Sequence, residues 1–202
     1  MIYLHYCSIQ SLLALENNQL VTTAQQRTML RLYRENALRQ HYPDLAIGQT
    51  PQGKPIAFRP QNLAFNHSHS ATSYALAYSN TVQDLGVDIE EKTRRFKNIE
   101  AFAKRNLHPD ELQMWQDIGK CPLFLLQIWT IKEAVLKAHG LGIRMQLHRL
   151  NTRAHPTWGF GVVEHEVLGH FYYQTFDLPH SILTVAYRQG EWQQLYFKVF
   201  NT

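Results

Sequence analysis

Leu85-Gly86-Val87-Asp88-Ile89-Glu90 alternates apolar residues with acids, the period of two that marks a strand with distinct faces. Val87 and Ile89 turn to one face, Asp88 and Glu90 to the other. Carboxylates this close repel unless a cation sits between them. Taken alone the pattern fits a solvated strand edge. Its meaning depends on a second stretch, Trp129-Thr130-Ile131-Lys132-Glu133-Ala134-Val135-Leu136-Lys137. That stretch lies in a helical pattern from Pro122 to His139, with Gly140 as the predicted C-terminal cap. Trp129, Glu133 and Lys137 stand at i, i+4 and i+8, along one side of the helix. They read as an ordinary Glu–Lys pair, contributing about 0.3–0.5 kcal/mol, with Trp129 in the core. They read equally as a third carboxylate with a phosphate-facing cation one turn away. Mg2+ suits the second reading, because it takes one or two carboxylates, several waters and phosphate oxygens.

Outward from these stretches the chain reads as α+β. Ile2–Tyr6 alternates as a first strand, and a helix is predicted from Thr23 to about Tyr42, ended by Pro43. Residues 48–60 hold three prolines and two glycines and read as loop. Leu63–Phe65 and Tyr74–Tyr78 read as short strands around the polar stretch Asn66–Ser73. Lys92–Arg95 starts a charged loop, and helices follow at 98–106 and 109–117. Trp158–Glu164, His170–Thr175, Ile182–Tyr187 and Trp192–Val199 suit the strands of an antiparallel meander. The element order places a boundary near residue 84, giving halves 1–84 and 85–202, each with a net charge of +2.

Composition narrows the class. The 202 residues are 45% apolar and 18% charged, which is globular and not disordered. A net charge of +4 fits a phosphate-bearing partner but is too weak to argue for nucleic acid. Two cysteines, Cys7 and Cys121, build neither a disulfide framework nor a four-cysteine zinc site. No apolar run reaches the roughly 18 residues that span a bilayer, and the first residues carry no signal-peptide pattern. A cytoplasmic protein without membrane contact is expected.

Three near-matches fail on their chemistry. Gly48 to Lys54 fits the first seven places of a phosphate-binding loop, but Pro55 stands where a Ser or Thr hydroxyl must meet Mg2+. His165 and His170 are five apart, one too many for a zinc-protease helix. His67 and His69 share a side if extended, but no obvious third ligand accompanies them.

Four motifs in order point further. Gly53-Lys54-Pro55, Phe65-Asn66-His67-Ser68-His69-Ser70, Gly86-Val87-Asp88-Ile89-Glu90 and Trp129-x-x-Lys132-Glu133-x-x-x-Lys137 together resemble the 4′-phosphopantetheinyl transferases. The single-chain, Sfp-type branch is the better match. The resemblance covers roughly residues 27–145, and the last strands contribute little to it. It implies two similar α+β lobes related by a pseudo-twofold, with coenzyme A between them. It implies transfer of the phosphopantetheine arm of coenzyme A to a serine of an apo acyl or peptidyl carrier protein, with release of 3′,5′-ADP.

The resemblance also assigns residues. Asp88, Glu90 and Glu133 match the Mg2+-binding acids, with Mn2+ as an alternative ion. Glu133 matches the candidate base for the serine proton, and Lys137 a phosphate contact, with Lys132 nearby. Lys54, Ser68 and His69 match positions that grip the 3′-phosphate, and Arg27-Thr28 a pair near the adenine. A monomer is expected. A basic rim of Lys92, Arg94, Arg95, Lys97, Lys104 and Arg105 reads either as a carrier dock or as a solvated face. Two positions depart from the family. Ala71 stands where Gly is frequent, which would strain the backbone if φ were positive there, and His67 replaces an apolar residue. The intact acid trio argues against the alternative of a catalytically silent homologue that binds coenzyme A or a carrier. A convergent Mg2+-dependent phosphodiesterase would leave Lys54, Ser68 and His69 unexplained.

Overall fold

The computed structural model describes residues 1–12, 22–51, 53–140, 145–188 and 195–199. In chain order these form β1 (Ile2–Ser8), α1 (Ile9–Leu12), α2 (Thr23–Arg39), β2 (Ala46–Gln49), β3 (Pro55–Arg59), β4 (Ala64–His69), β5 (Ser73–Ser79) and β6 (Asp84–Glu91). There follow α3 (Ile99–Asn106), α4 (Pro109–Asp117), α5 (Pro122–His139), β7 (Phe160–His165), β8 (Gly169–Asp177), β9 (Ser181–Arg188) and β10 (Leu195–Val199). The fold is α+β. One four-stranded sheet has the order β10-β1-β5-β4, the other β6-β9-β8-β7, and β2 and β3 form a separate hairpin.

Local chemistry explains the helices. The Thr22 side chain caps α2 and Gln25 returns the bond, a capping box that satisfies otherwise orphaned N–H groups. The helix ends at Arg39, short of Tyr42, because the Leu38 carbonyl accepts from the N–H groups of His41 and Tyr42 in a turn before Pro43. Pro122 opens α5 and Gly140, at φ +89°, closes it. Only a glycine takes that left-handed conformation without strain.

Four expectations change. Residues 48–60 are not all loop. Gly53 takes φ +87°, and the turn closes through Gly53 N–H to the Thr50 carbonyl (2.8 Å) and Thr50 N–H to the Lys54 carbonyl (2.9 Å). The glycines and prolines therefore shape the β2–β3 hairpin. The polar stretch Asn66–His69 belongs to β4, because Asn66, His67 and Ser68 meet Val87, Arg34 and Asp88 across the molecule. The meander holds for β7, β8 and β9 only. Residues 195–199 instead pair in parallel with β1, Ile2 opposite Leu195 through Tyr6 opposite Val199. Residues 192–194 of that expected strand lie outside the described ones. Finally, Lys120 and Arg153 are the only non-glycine residues with left-handed φ among the described ones, so Ala71 carries no such strain.

The two larger sheets meet through a buried layer that includes Leu4, Ala75 and Ala77 from one and Val87, Ile89 and Val185 from the other. That uses one face of β6. The other face lies under α5, and Gly86 on that face decides how close the helix comes. A Cβ at Gly86 would stand 2.0 Å from the Ala134 carbonyl oxygen and 2.5 Å from the Ala138 nitrogen. Both obstacles are backbone, so no rotamer change relieves them. Gly86→Ala should lift α5 off β6 and cost about 2–3 kcal/mol, at the upper end of overpacking penalties. Urea unfolding measures this, and an unchanged midpoint would refute the close approach.

Candidate active site

The acids of β6 and the polar side of α5 close on one another. Asp88 is 4% exposed and Glu133 8%, and burial at that level is rare for carboxylates without partners. Asp88 Oδ1 accepts from Lys137 Nζ at 2.6 Å and from the Ser68 hydroxyl at 2.9 Å. Lys137 also donates to the Ser68 oxygen (2.8 Å) and the Val87 carbonyl (3.3 Å). Glu90 Oε1 accepts from the Trp129 indole N–H at 3.1 Å and from Arg94. The N–H of Val87 donates to Asn66 Oδ1 at 3.1 Å, tying β4 to β6 beside the acids.

These donors engage one oxygen each of Asp88 and Glu90. Asp88 Oδ2 and Glu133 Oε1 are buried with no hydrogen-bond partner. Orphaned buried carboxylate oxygens are costly and are the donor type a hard divalent cation prefers. No group of three or more His, Cys, Asp or Glu side chains among the described residues converges into a cage. Mg2+ does not require one, since waters and phosphate oxygens complete its shell. The residues therefore fit the ion. Electrostatics agree. Burial pushes Glu133 up to about 7, with Asp88 and Glu90 adding to the rise against Lys137 and Arg94. Glu90 is raised as well, first by burial and then by Asp88.

The other residues named from the sequence divide. Ser68 joins the cluster, but its hydroxyl proton is committed to Asp88. Lys54 reaches the C-terminal end of α5, where Nζ donates to the Ala138 carbonyl, and it lines a cleft of about 310 Å³ with Thr50, Asp84 and His139. The acid trio does not line that cleft. His69, at the end of β4, is exposed, as are Arg27 and Thr28 on α2. The Thr28 hydroxyl bonds back to the Ala24 carbonyl at 3.1 Å.

Lys132 is a correction. Its side chain is 0% exposed, 2.6 Å from Glu111 Oε2, and it donates to the carbonyls of Asn106 (2.7 Å) and Leu147 (2.9 Å). It braces α5 against α4, the last residue of α3 and the segment after α5, so it has no access to a phosphate. Helical spacing carried this signal: neighbouring positions point about 100° apart, so Lys132 cannot share the face of Glu133.

Arg27, Arg31 and Arg34 stand at i, i+4 and i+7 on one side of α2, but their surroundings differ. Arg31 is exposed, whereas Arg34 is 5% exposed and bonds His67 Nε2 at 3.0 Å. Burial pushes His67 down to about 3, helped by Arg34, Lys137 and His69. His67 therefore stays neutral, as the acceptor of Arg34. His165 and His170 lie on the β7–β8 hairpin, on strands and not on one helix. Trp129 reaches Glu90 from the helical side it shares with Glu133, whereas nothing in the local sequence marks Arg94 as a neighbour of Glu90.

Comparison with known proteins finds relatives of this chain. A family model described as the 4′-phosphopantetheinyl transferase superfamily matches residues 84–187, a span that holds Asp88, Glu90, Glu133 and Lys137. The 4′-phosphopantetheinyl transferase HetI of Nostoc sp. is 37% identical over 112 residues, covering 52% of this chain and 46% of its own. A holo-[acyl-carrier-protein] synthase of Mycoplasma mobile is 49% identical over 55 residues, 27% of this chain and 50% of its own. The 4′-phosphopantetheinyl transferase ffp of Bacillus subtilis is 28% identical over 113 residues, 55% and 49% respectively. The chain spans about half the length of these relatives.

Proposed function

The chain belongs to the 4′-phosphopantetheinyl transferase superfamily, and we propose that it moves the 4′-phosphopantetheine arm of coenzyme A to a serine of an apo carrier protein. The observation that carries this reading is the acid cluster, with buried, partnerless oxygens on Asp88 and Glu133. A protein that only bound coenzyme A would have no use for such repulsion between buried carboxylates.

Asp88, Glu90 and Glu133 would hold Mg2+. When bound, the ion supplies Lewis-acid stabilisation of charge on the coenzyme A pyrophosphate. Lys137 and Ser68 fix Asp88 through the shared Oδ1. The Trp129 indole N–H fixes Glu90 through Oε1, which the Arg94 cation also touches. Glu133, which burial raises to about 7 while no divalent ion is bound, is the candidate general base. It takes the proton of the carrier serine as the serine oxygen bonds to the β-phosphorus. The bond from that phosphorus to the bridging oxygen breaks, and 3′,5′-ADP carries away the electron pair. Lys54, on the cleft at the end of α5, and the exposed His69 and Arg27 offer positive charge to the nucleotide end of coenzyme A.

The deciding experiment incubates the protein with coenzyme A, Mg2+ and several apo carrier proteins, and weighs the carriers. One carrier should gain the mass of a phosphopantetheine group, with 3′,5′-ADP appearing in equal amount. Failure on every fatty-acid, polyketide and peptide carrier tried would sink the enzyme reading.

A further inference from the structure

We propose that Arg94 is a resident counter-cation of the acid cluster, caged by aromatic rings, and that its charge limits how tightly the cluster takes a divalent ion. The inference rests on the metal-binding reading of Asp88, Glu90 and Glu133. Arg94 lies just past β6, in a charged loop where an arginine would ordinarily be solvated. Its guanidinium instead stands 5.5 Å from the Phe96 ring centroid, 5.6 Å from Phe102 and 5.4 Å from Trp129. These rings pack on one another, Phe96 to Phe102 at 4.8 Å and Phe102 to Trp129 at 5.0 Å. Three ring faces attract a cation in this position, and Glu90 completes the cage by accepting from Nη1.

Trp129 separates the two roles Arg94 could have. Its indole N–H bonds the same Oε1 of Glu90 at 3.1 Å. Removing Arg94 therefore leaves Glu90 oriented, and what disappears is a positive charge in contact with a ligand carboxylate. That charge stabilises the clustered acids when no divalent ion is bound and opposes the entry of one. Lys137 does the same for Asp88, but it also bonds Ser68 and the Val87 carbonyl, so replacing it would disturb geometry as well as charge. Arg94 is the cleaner probe.

The test compares wild type, Arg94→Gln and Arg95→Gln, the last removing an equal charge from an exposed neighbour. Mn2+ binding is measured by calorimetry without coenzyme A, and Tm is measured in EDTA and in saturating Mn2+. Arg94→Gln should bind Mn2+ about tenfold more tightly, lose several degrees of Tm in EDTA, and regain them with Mn2+. Arg95→Gln should change Mn2+ affinity by less than about twofold, because solvent and salt screen its charge. Weaker Mn2+ binding by Arg94→Gln would overturn the proposal, showing that Arg94 orients Glu90. Equal binding would overturn it too. If wild type itself takes up no Mn2+, the metal reading of the cluster falls, and this inference with it.

Discussion

Replacing Glu133 with Gln should lower carrier modification by about 10²–10⁴-fold, the range that a positioned general base contributes, while leaving the protein folded. Gln keeps the shape and can still accept a hydrogen bond, but it cannot take the serine proton. The variant also carries a signature that a merely damaged protein would not show. Burial raises Glu133 from 4.5 to about 7. Between those values the folded, metal-stripped protein holds a proton that the unfolded chain has released. Its stability therefore falls as pH rises through that window, by on the order of 3 kcal/mol in total, and levels off above pH 7. Glu133→Gln has no such proton, so in EDTA at pH 8 it should melt several degrees above wild type. Thermal melts from pH 5 to 8 measure the slope, and carrier mass measures the transfer. Wild-type rates in the variant would remove Glu133 from the chemistry. Parallel melting curves would show that its burial imposes no penalty on the charged form.

What could be read in the sequence was whatever depends on short-range periodicity. Asp88 and Glu90 share a face because a strand alternates, and Glu133 and Lys137 share a side because a helix turns every 3.6 residues. Pro122 and Gly140 bound α5 where their backbone preferences put them. What escaped depends on partners far along the chain. Asn66 and Ser68 read as loop because they are polar, yet they are buried in β4 where Val87 and Asp88 receive them. The last strand was visible as a strand, but nothing local says that it pairs with β1. Arg34 shares a helical side with the exposed Arg27 and Arg31, and only His67, 33 residues away, accounts for its burial. Arg94 read as part of a basic rim because its cage is assembled from three separate elements.

Lys132 provides the sharpest test of that distinction, because a phosphate contact and a structural post make opposite predictions. Lys132→Met should destabilise the protein by about 3–5 kcal/mol, the usual cost of removing one partner of a buried ion pair. Several groups lose by the change. Glu111 keeps its donors, the backbone N–H of His108 (2.8 Å) and the N–H and hydroxyl of Thr152 (2.7 and 2.6 Å), so it remains an acceptor-rich site without its cation. The carbonyls of Asn106 and Leu147 lose their donor, and unsatisfied buried carbonyls carry their own desolvation penalty. Met fills the aliphatic volume of Lys, so little of the loss comes from a cavity. For a chain of this size the fall in Tm should be about 10–15 °C. Below the shifted transition, the KM for coenzyme A and the kcat per folded molecule should match wild type, because the lysine has no path to the substrate. A weakened KM with an unchanged Tm would reverse the assignment and put Lys132 back on a phosphate.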